Sequence, residues 1–370
     1  MKLCIYAVFT CSLFFNVILS AQTNAFTPEA SYIGDVVRNF SGGIKRGTSY
    51  LGLANIKLSF DTEQARLWKG GMFFINAANA HGGNPSAELT GDFHTVSNIE
   101  ADELTYVHEI WFRQIFNKFE IIAGLQDLNT EFVSSEYGSM FINSTFGTPS
   151  TIADNVPSPI FPLTAAGLAL KWNVSLKSSL KMAVFDGLPT DFEHNPHNLK
   201  WDFNKNEGFL AVMEYQFSGG NGSYRAGVYY HSQLIETRED KNFYYNDGFY
   251  LIADQMIHRN IGREGGIGVF GQIAVSPGAF NTHNFYSGMG ISWQGPFRKR
   301  VEDKFGIALT YAGFSDSSKR SETVAEISYK AQLTENLFIQ PDLQYVINPV
   351  GTDQNLRNAT VGFIRFGLSF

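Results

Sequence analysis

Apolar and polar positions alternate with a period of two along many short stretches of this chain, and LFIQPDLQYVINP at 337–349 is a clear example. Counted by twos, Leu337, Ile339, Pro341, Leu343, Tyr345 and Ile347 share one face, while Phe338, Gln340, Asp342, Gln344 and Asn348 share the other. Side chains that change face at every residue define a strand. The same count predicts strands over 107–113 and 119–126, joined by a tight turn at Asn117-Lys118, and further strands over 224–231, 305–311, 325–332 and 361–370. Over 107–113, Val107, Glu109, Trp111 and Arg113 fall on one face. In the last stretch Gly362, Ile364, Phe366, Leu368 and Phe370 make one face and Val361, Phe363, Arg365, Gly367 and Ser369 the other. Stretches rich in Gly, Pro and Asn at 76–91 and 147–162 read as long loops, some of them turned inward.

The polar faces mix charged and small side chains, which a dry core would not accept without many partners. Water must reach them, so the opposite faces meet either a protein core or lipid. Pro341 lies on an apolar face and lacks a ladder donor, so its partner strand is expected to be bulged or otherwise satisfied there. No repeat and no linker of separate composition interrupts the pattern, which makes one domain the simplest reading.

The N-terminus separates the two environments. MKLCIYAVFTCSLFFNVILSAQTNA places Lys2 before an apolar run and small residues at Ala21 and Ala25, the order of a secretory signal. We take 1–25 as that signal and leave its cleavage point open, because Leu19 suits poorly the position three before Ala21. Cys4 and Cys11, the chain's two cysteines, fall inside it, so the mature chain would carry no disulfide. No later stretch offers 18 apolar residues, and a closed barrel is then the one way to span a bilayer. Aromatics make up 15% of the chain, with Phe 33 and Tyr 16. Two membrane interfaces would employ that surplus. At roughly twenty residues per strand and connection, 26–370 has room for about sixteen to eighteen strands. A net charge of −7 argues against nucleic acid as a partner.

An aromatic residue ending an alternating final strand is the pattern of bacterial outer-membrane barrels. More specifically, GDVVRNFSGGIKRGTSYLG from Gly34, FFINAANAHGGNPS from Phe73, GLQDLNTEFVSSEYGSMFINSTFG from Gly124, AVFDGLP from Ala183 and LFIQPDLQYVINP resemble, in this order, the carbohydrate-selective porins of the OprB family. The resemblance implies an all-β fold: a transmembrane outer-membrane β-barrel of sixteen antiparallel strands with inward-folded loops. It implies passive diffusion of mono- or small oligosaccharides through a sugar-selective, water-filled pore, with no enzyme chemistry and no cofactor. Its partners would be sugars and outer-membrane lipid, as a monomer or a homotrimer. It also implies that a segment at about 31–50 can fold into the pore. A general small-solute diffusion porin is the alternative.

Sugar passage needs hydrogen-bonding groups for hydroxyls and rings for the apolar faces of a pyranose. Glu109, Trp111 and Arg113 supply both, or serve as lumen salt bridges that merely hold the wall. Gln126, Asp127, Asn129 and Glu131 are sugar ligands by resemblance, or a turn with helpful Asx side chains. Arg38, Arg46 and Lys45 could carry cations into a constriction. Asp342, Gln340, Gln344 and Arg365 face the lumen by alternation. Three motifs carry less. Gly266, Gly268 and Gly271 form G-x-G-x-x-G with no helix following, which removes the phosphate-binding reading. His194 and His197 beside Asp191 and Glu193 have only metal-like spacing. No G-x-S-x-G or zincin motif anchors a hydrolase.

Overall fold

A computed structural model describes residues 25–370 except 202, 204–206, 237–242, 263, 316–320 and 353. All of the expected signal segment but Ala25 lies outside the described residues. The first eight strands are β1 (Phe26–Gly43), β2 (Gly47–Asp61), β3 (Gly71–Gly82), β4 (Leu104–Phe116), β5 (Phe119–Gln126), β6 (Ala165–Asn173), β7 (Ser178–Asp186) and β8 (Phe209–Gly219). The second eight are β9 (Gly222–Glu236), β10 (Phe243–Arg259), β11 (Gly266–Val275), β12 (His283–Gln294), β13 (Lys304–Phe314), β14 (Glu322–Thr334), β15 (Leu337–Ile347) and β16 (Arg357–Ser369). Each pairs antiparallel with its neighbours in sequence, and β1 pairs with β16, closing the sheet into a barrel. Closure leaves no edge, which is what a backbone surrounded by hydrocarbon requires.

The alternation resolves as an apolar outer wall and a lumen inside. On β15, Ile339, Pro341, Leu343 and Tyr345 are exposed on the outer wall, while Gln340, Asp342, Gln344 and Val346 are buried within. On β16, Ile364 looks out and Val361, Phe363 and Arg365 look in. Outward aromatics gather at the two ends of the strands. Phe119 stacks with Trp172 at 6.1 Å and Phe217 with Tyr224 at 6.4 Å near one rim. Tyr230 meets Tyr245 at 5.4 Å and Phe285 meets Tyr311 at 6.0 Å near the other. Two such belts mark the bilayer interfaces and account for the aromatic surplus.

One rim carries short turns. Asn117-Lys118 joins β4 to β5, and Gly220-Asn221, both at positive φ, joins β8 to β9. Positive φ at both central positions matches the twist of a two-residue hairpin. The other rim carries the long connections 83–103, 127–164 and 187–208. Long loops belong on the extracellular side and short turns on the periplasmic side.

Three sequence expectations need correction. The segment 31–50 forms wall, not an inward plug. Its residues lie in β1 and β2 or the turn between them, and β1 runs continuously between β16 and β2 because its backbone completes both ladders. Residues 76–82, expected in a loop, extend β3. Val107 does not share a face with Glu109: the β3–β4 register slips between Asn76↔Glu109 and Ala77↔Val107, and the extra residue, His108, turns inward beside Glu109. At Pro341 the partner strand is not bulged: the β14–β15 ladder holds the same register at Ser328↔Asp342 and Ala331↔Ile339 and lacks the two pairs between them, Tyr329 with Pro341 and Lys330 with Gln340.

Candidate functional site

The bore is narrowed from within by two loops. In 83–103, Val96 and Ile99 pack against inward-facing Val37, Leu51, Val346, Val361 and Phe363. In 127–164, Leu128, Phe132, Val133 and Ile152 pack against Tyr229, Tyr250, Ile252 and Tyr286. Apolar burial seats both loops, and wall carboxylates fix them. Glu322 on β14 accepts the Phe93 and His94 backbone N–H groups at 2.8–2.9 Å and pairs with His94 Nδ1 at 2.8 Å. Glu214 accepts from Val133 at 3.0 Å, Asp254 from the Ser135 hydroxyl at 2.6 Å and Tyr137 N–H at 3.1 Å. Glu326 accepts from Ile142 at 2.6 Å and Asn143 at 3.0 Å. These bonds satisfy loop backbone donors that burial would otherwise leave without partners, so they anchor the loops.

A cavity of about 790 Å³ remains between loops and wall. On one side Lys57, Asn76 and Glu109 form a row, each directly opposite the next across β2, β3 and β4. Asn76 is buried and its Oδ1 has no partner among the described residues. On the other side stand Lys304, Lys330, Phe338, Gln340 and Arg365, from β13, β14, β15 and β16. The loops contribute His94, Glu100, Asp127, Asn129 and Asp154. Burial pushes the Asp154 carboxyl up to about 7, against the opposing pull of His94. Burial and then the charge of Asp92 raise Glu100 to about 8, although its carboxylate accepts from Ser86 N–H at 3.0 Å.

Of the residues expected to contact solute, Glu109, Asp127, Asn129 and Arg365 line this cavity. Glu109 Oε1 accepts from Asp127 N–H at 3.4 Å and Trp111 Nε1 at 3.3 Å. Asp127 caps the short helix Leu128–Glu131 and approaches His108 Nε2 at 3.2 Å. Asn129 donates to Gly147 O at 2.9 Å, and so holds the far end of its own loop. Arg365 is committed to Asp35 through two bonds of 2.7 and 2.8 Å and to Asn98 at 2.8 Å, which ties 83–103 to the wall.

The other seven sit elsewhere. Arg38 points outward, because Asp35, Val37 and Asn39 take the inner face of β1, and it donates to Thr48 at 2.7 Å. At the rim its charge reaches headgroups without cost. Arg46, like Lys45, is exposed in the turn after β1. Trp111 is inward but stacks on Phe74 at 4.7 Å, and Arg113 lies 5.9 Å from its ring and 3.5 Å from Glu120. Gln126 donates to Gly167 O at 2.8 Å, a bond to wall backbone. Glu131 pairs with Lys181 at 3.5 Å behind the loop. Asp342 is buried behind the same loop, within 3.5 Å of Gln344 Nε2.

Sequence reasoning missed Lys57, Asn76, Lys304 and Lys330. Asn76 falls in the stretch 76–91 expected to be a loop, and Lys330 in the stretch 325–332 expected to be a strand. The inward apolar pair Val361 and Phe363 was a usable signal: apolar residues on a lumen face announce that a loop covers them.

The family model for carbohydrate-selective porins of the OprB family matches residues 45–370. Porin B of Pseudomonas aeruginosa is 22% identical over 405 residues, covering 92% of this chain and 86% of that protein. The high-pH structure of Pseudomonas putida OprB superposes with a TM-score of 0.85 at 20% identity, covering 94% of each chain. The low-pH structure of the same porin gives 0.62 at 17% identity, covering 94% of this chain and 93% of that one. A Rhodopseudomonas blastica porin variant gives 0.53 at 12%, covering 93% and 100%. With the closed sixteen-stranded barrel and its loop-narrowed lumen, the chain therefore belongs to the OprB family of carbohydrate-selective porins and is a sugar-selective channel of the bacterial outer membrane.

Proposed function

We propose that mono- or small oligosaccharides cross the constriction against the row Lys57, Asn76 and Glu109, with Asp127 and Asn129 facing them from the loop. The observation that carries this reading is the buried, unpartnered Asn76 Oδ1 between an ammonium and a carboxylate on a cavity wall. A buried acceptor without a partner costs free energy until a donor arrives, and a passing hydroxyl is such a donor. The row offers hydroxyls a donor, an amide and an acceptor in sequence, which exchanges hydration for wall contacts without releasing the solute into a deep well.

Block of ion current by glucose in planar bilayers tests it. Asn76→Ala removes a hydrogen bond worth about 0.5–1.5 kcal/mol, so glucose block should weaken about two- to ten-fold with the barrel intact. Unchanged block would take the contact away from this row. Equal passage of glucose and unrelated small solutes would favour a general diffusion pore.

A further inference from the structure

The wall opposite that row carries a second chemistry. Lys304 and Lys330 are directly paired across β13 and β14, both on the lumen face. Like charges directly opposed across a sheet destabilise it. Among the described residues no carboxylate lies within ion-pair distance of either ammonium, while Lys171 and Lys181 elsewhere in the lumen do have acidic partners. The carboxylates nearby are engaged. Asp303 beside Lys304 is held by Arg300 at 3.0 Å, Asp35 by Arg365, and Glu326 by the loop backbone. Asp342 is buried on the next row.

The lysine on β14 is also positioned. Its Nζ sits 3.8 Å from the centroid of the Phe338 ring. That ring lies flat against Gly367 on β16, where any Cβ would come within 2.1 Å of it. A glycine admits the ring, the ring fixes the ammonium, and a second ammonium faces it across an open cavity.

Resting on the sugar-channel reading, we propose that Lys304 and Lys330 with Phe338 form a subsite for the anionic group of an acidic sugar, its carboxylate or phosphate, across the lumen from the row that meets hydroxyls. An acidic pyranose then has a reason to lodge here that a neutral one lacks: its acid relieves the lysine repulsion, while Phe338 keeps the Lys330 ammonium in place.

Ion-current block by glucose, glucuronate and acetate in planar bilayers at moderate salt tests this. Glucuronate should block at about ten-fold lower concentration than glucose, the worth of one charge-assisted hydrogen bond, and acetate should block weakly. In the paired variant Lys304→Gln/Lys330→Gln the advantage of glucuronate over glucose, both measured in that same channel, should vanish. Lys304→Arg/Lys330→Arg should keep the advantage. Equal block by glucose and glucuronate, an advantage that survives the glutamine pair, or acetate as potent as glucuronate would each overturn the subsite. Absence of glucose block would instead overturn the sugar-channel reading, while glucuronate measured against acetate would still report on the lysines. Glucose 6-phosphate in place of glucuronate distinguishes a phosphate preference from a carboxylate one.

Discussion

Glu326 offers the sharpest test of how the lumen is narrowed. Its two carboxylate oxygens separately accept the Ile142 and Asn143 N–H groups, and the loop they hold presents Met140, Ser144 and Thr145 to the cavity. Glu326→Ala strands both donors. A buried donor left without its partner costs about 1–3 kcal/mol, so the two together give about 2–6 kcal/mol. That corresponds to roughly a thirty- to ten-thousand-fold shift in the local equilibrium for leaving the wall. Lumen water can satisfy part of the loss, which places the outcome toward the lower figure. Gln340 still holds Met140 O at 2.9 Å and Gln344 still holds Asn143, so the loop should loosen near 138–146 without abandoning the bore. Single-channel recording should show higher conductance, noisier open states and weaker glucose block. Glu326→Gln keeps one acceptor and should fall between. If Glu326→Ala yields a barrel with normal heat-shifted gel mobility, unchanged conductance and unchanged block, the wall carboxylates do not set the constriction.

Three further outcomes follow from the same geometry. Ile364 is 49% exposed in the outer face of β16, and Ile364→Arg should cost about 2–4 kcal/mol near the bilayer midplane, read as lower yield of heat-modifiable barrel; normal yield would mean that face does not meet lipid. Trp111→Ala should weaken glucose block less than Asn76→Ala, because Phe74 already occupies a face of the indole; the reverse order would make Trp111 the contact. Glu100 has its folded-state pKa raised from 4.5 to about 8, so the unfolded loop releases its proton first and the seating of 83–103 should weaken as pH rises from about 4.5 to 8 and level off above; protease sensitivity of that loop should follow this course and lose this component in Glu100→Gln.

The wall was legible because lipid imposes one demand on every second residue, and β13 to β16 obey it without exception in their central parts. Where that demand is relaxed, reading failed. The bulge at His108 shifted the face of Val107, since a single extra residue inverts a period-two count. At the rim, Arg38 could point outward because headgroups accept a cation. Inside the lumen, alternation states that a side chain faces in but not what it faces. Arg365 and Asp342 were rightly placed inward, yet Arg365 is committed to Asp35 and Asn98 and Asp342 is hidden behind a loop. The partner of an inward charge can lie hundreds of residues away in sequence, as Asp35 on β1 and Asn98 in a loop do for Arg365, and no local pattern encodes that distance.

The seam between β1 and β16 has a consequence for biogenesis. Ser31 is registered with Ser369, so the first strand of the wall cannot be completed until the last has been synthesised and delivered. Until then both edges are open templates for pairing with another chain, and the closing contact is of the slowest kind to find. A chain truncated before β16 would thus be an aggregation-prone ribbon with two unsatisfied borders instead of a slightly smaller channel, and cellular machinery that shields or inspects such borders would have a simple criterion for completeness: whether the two ends of the polypeptide have met.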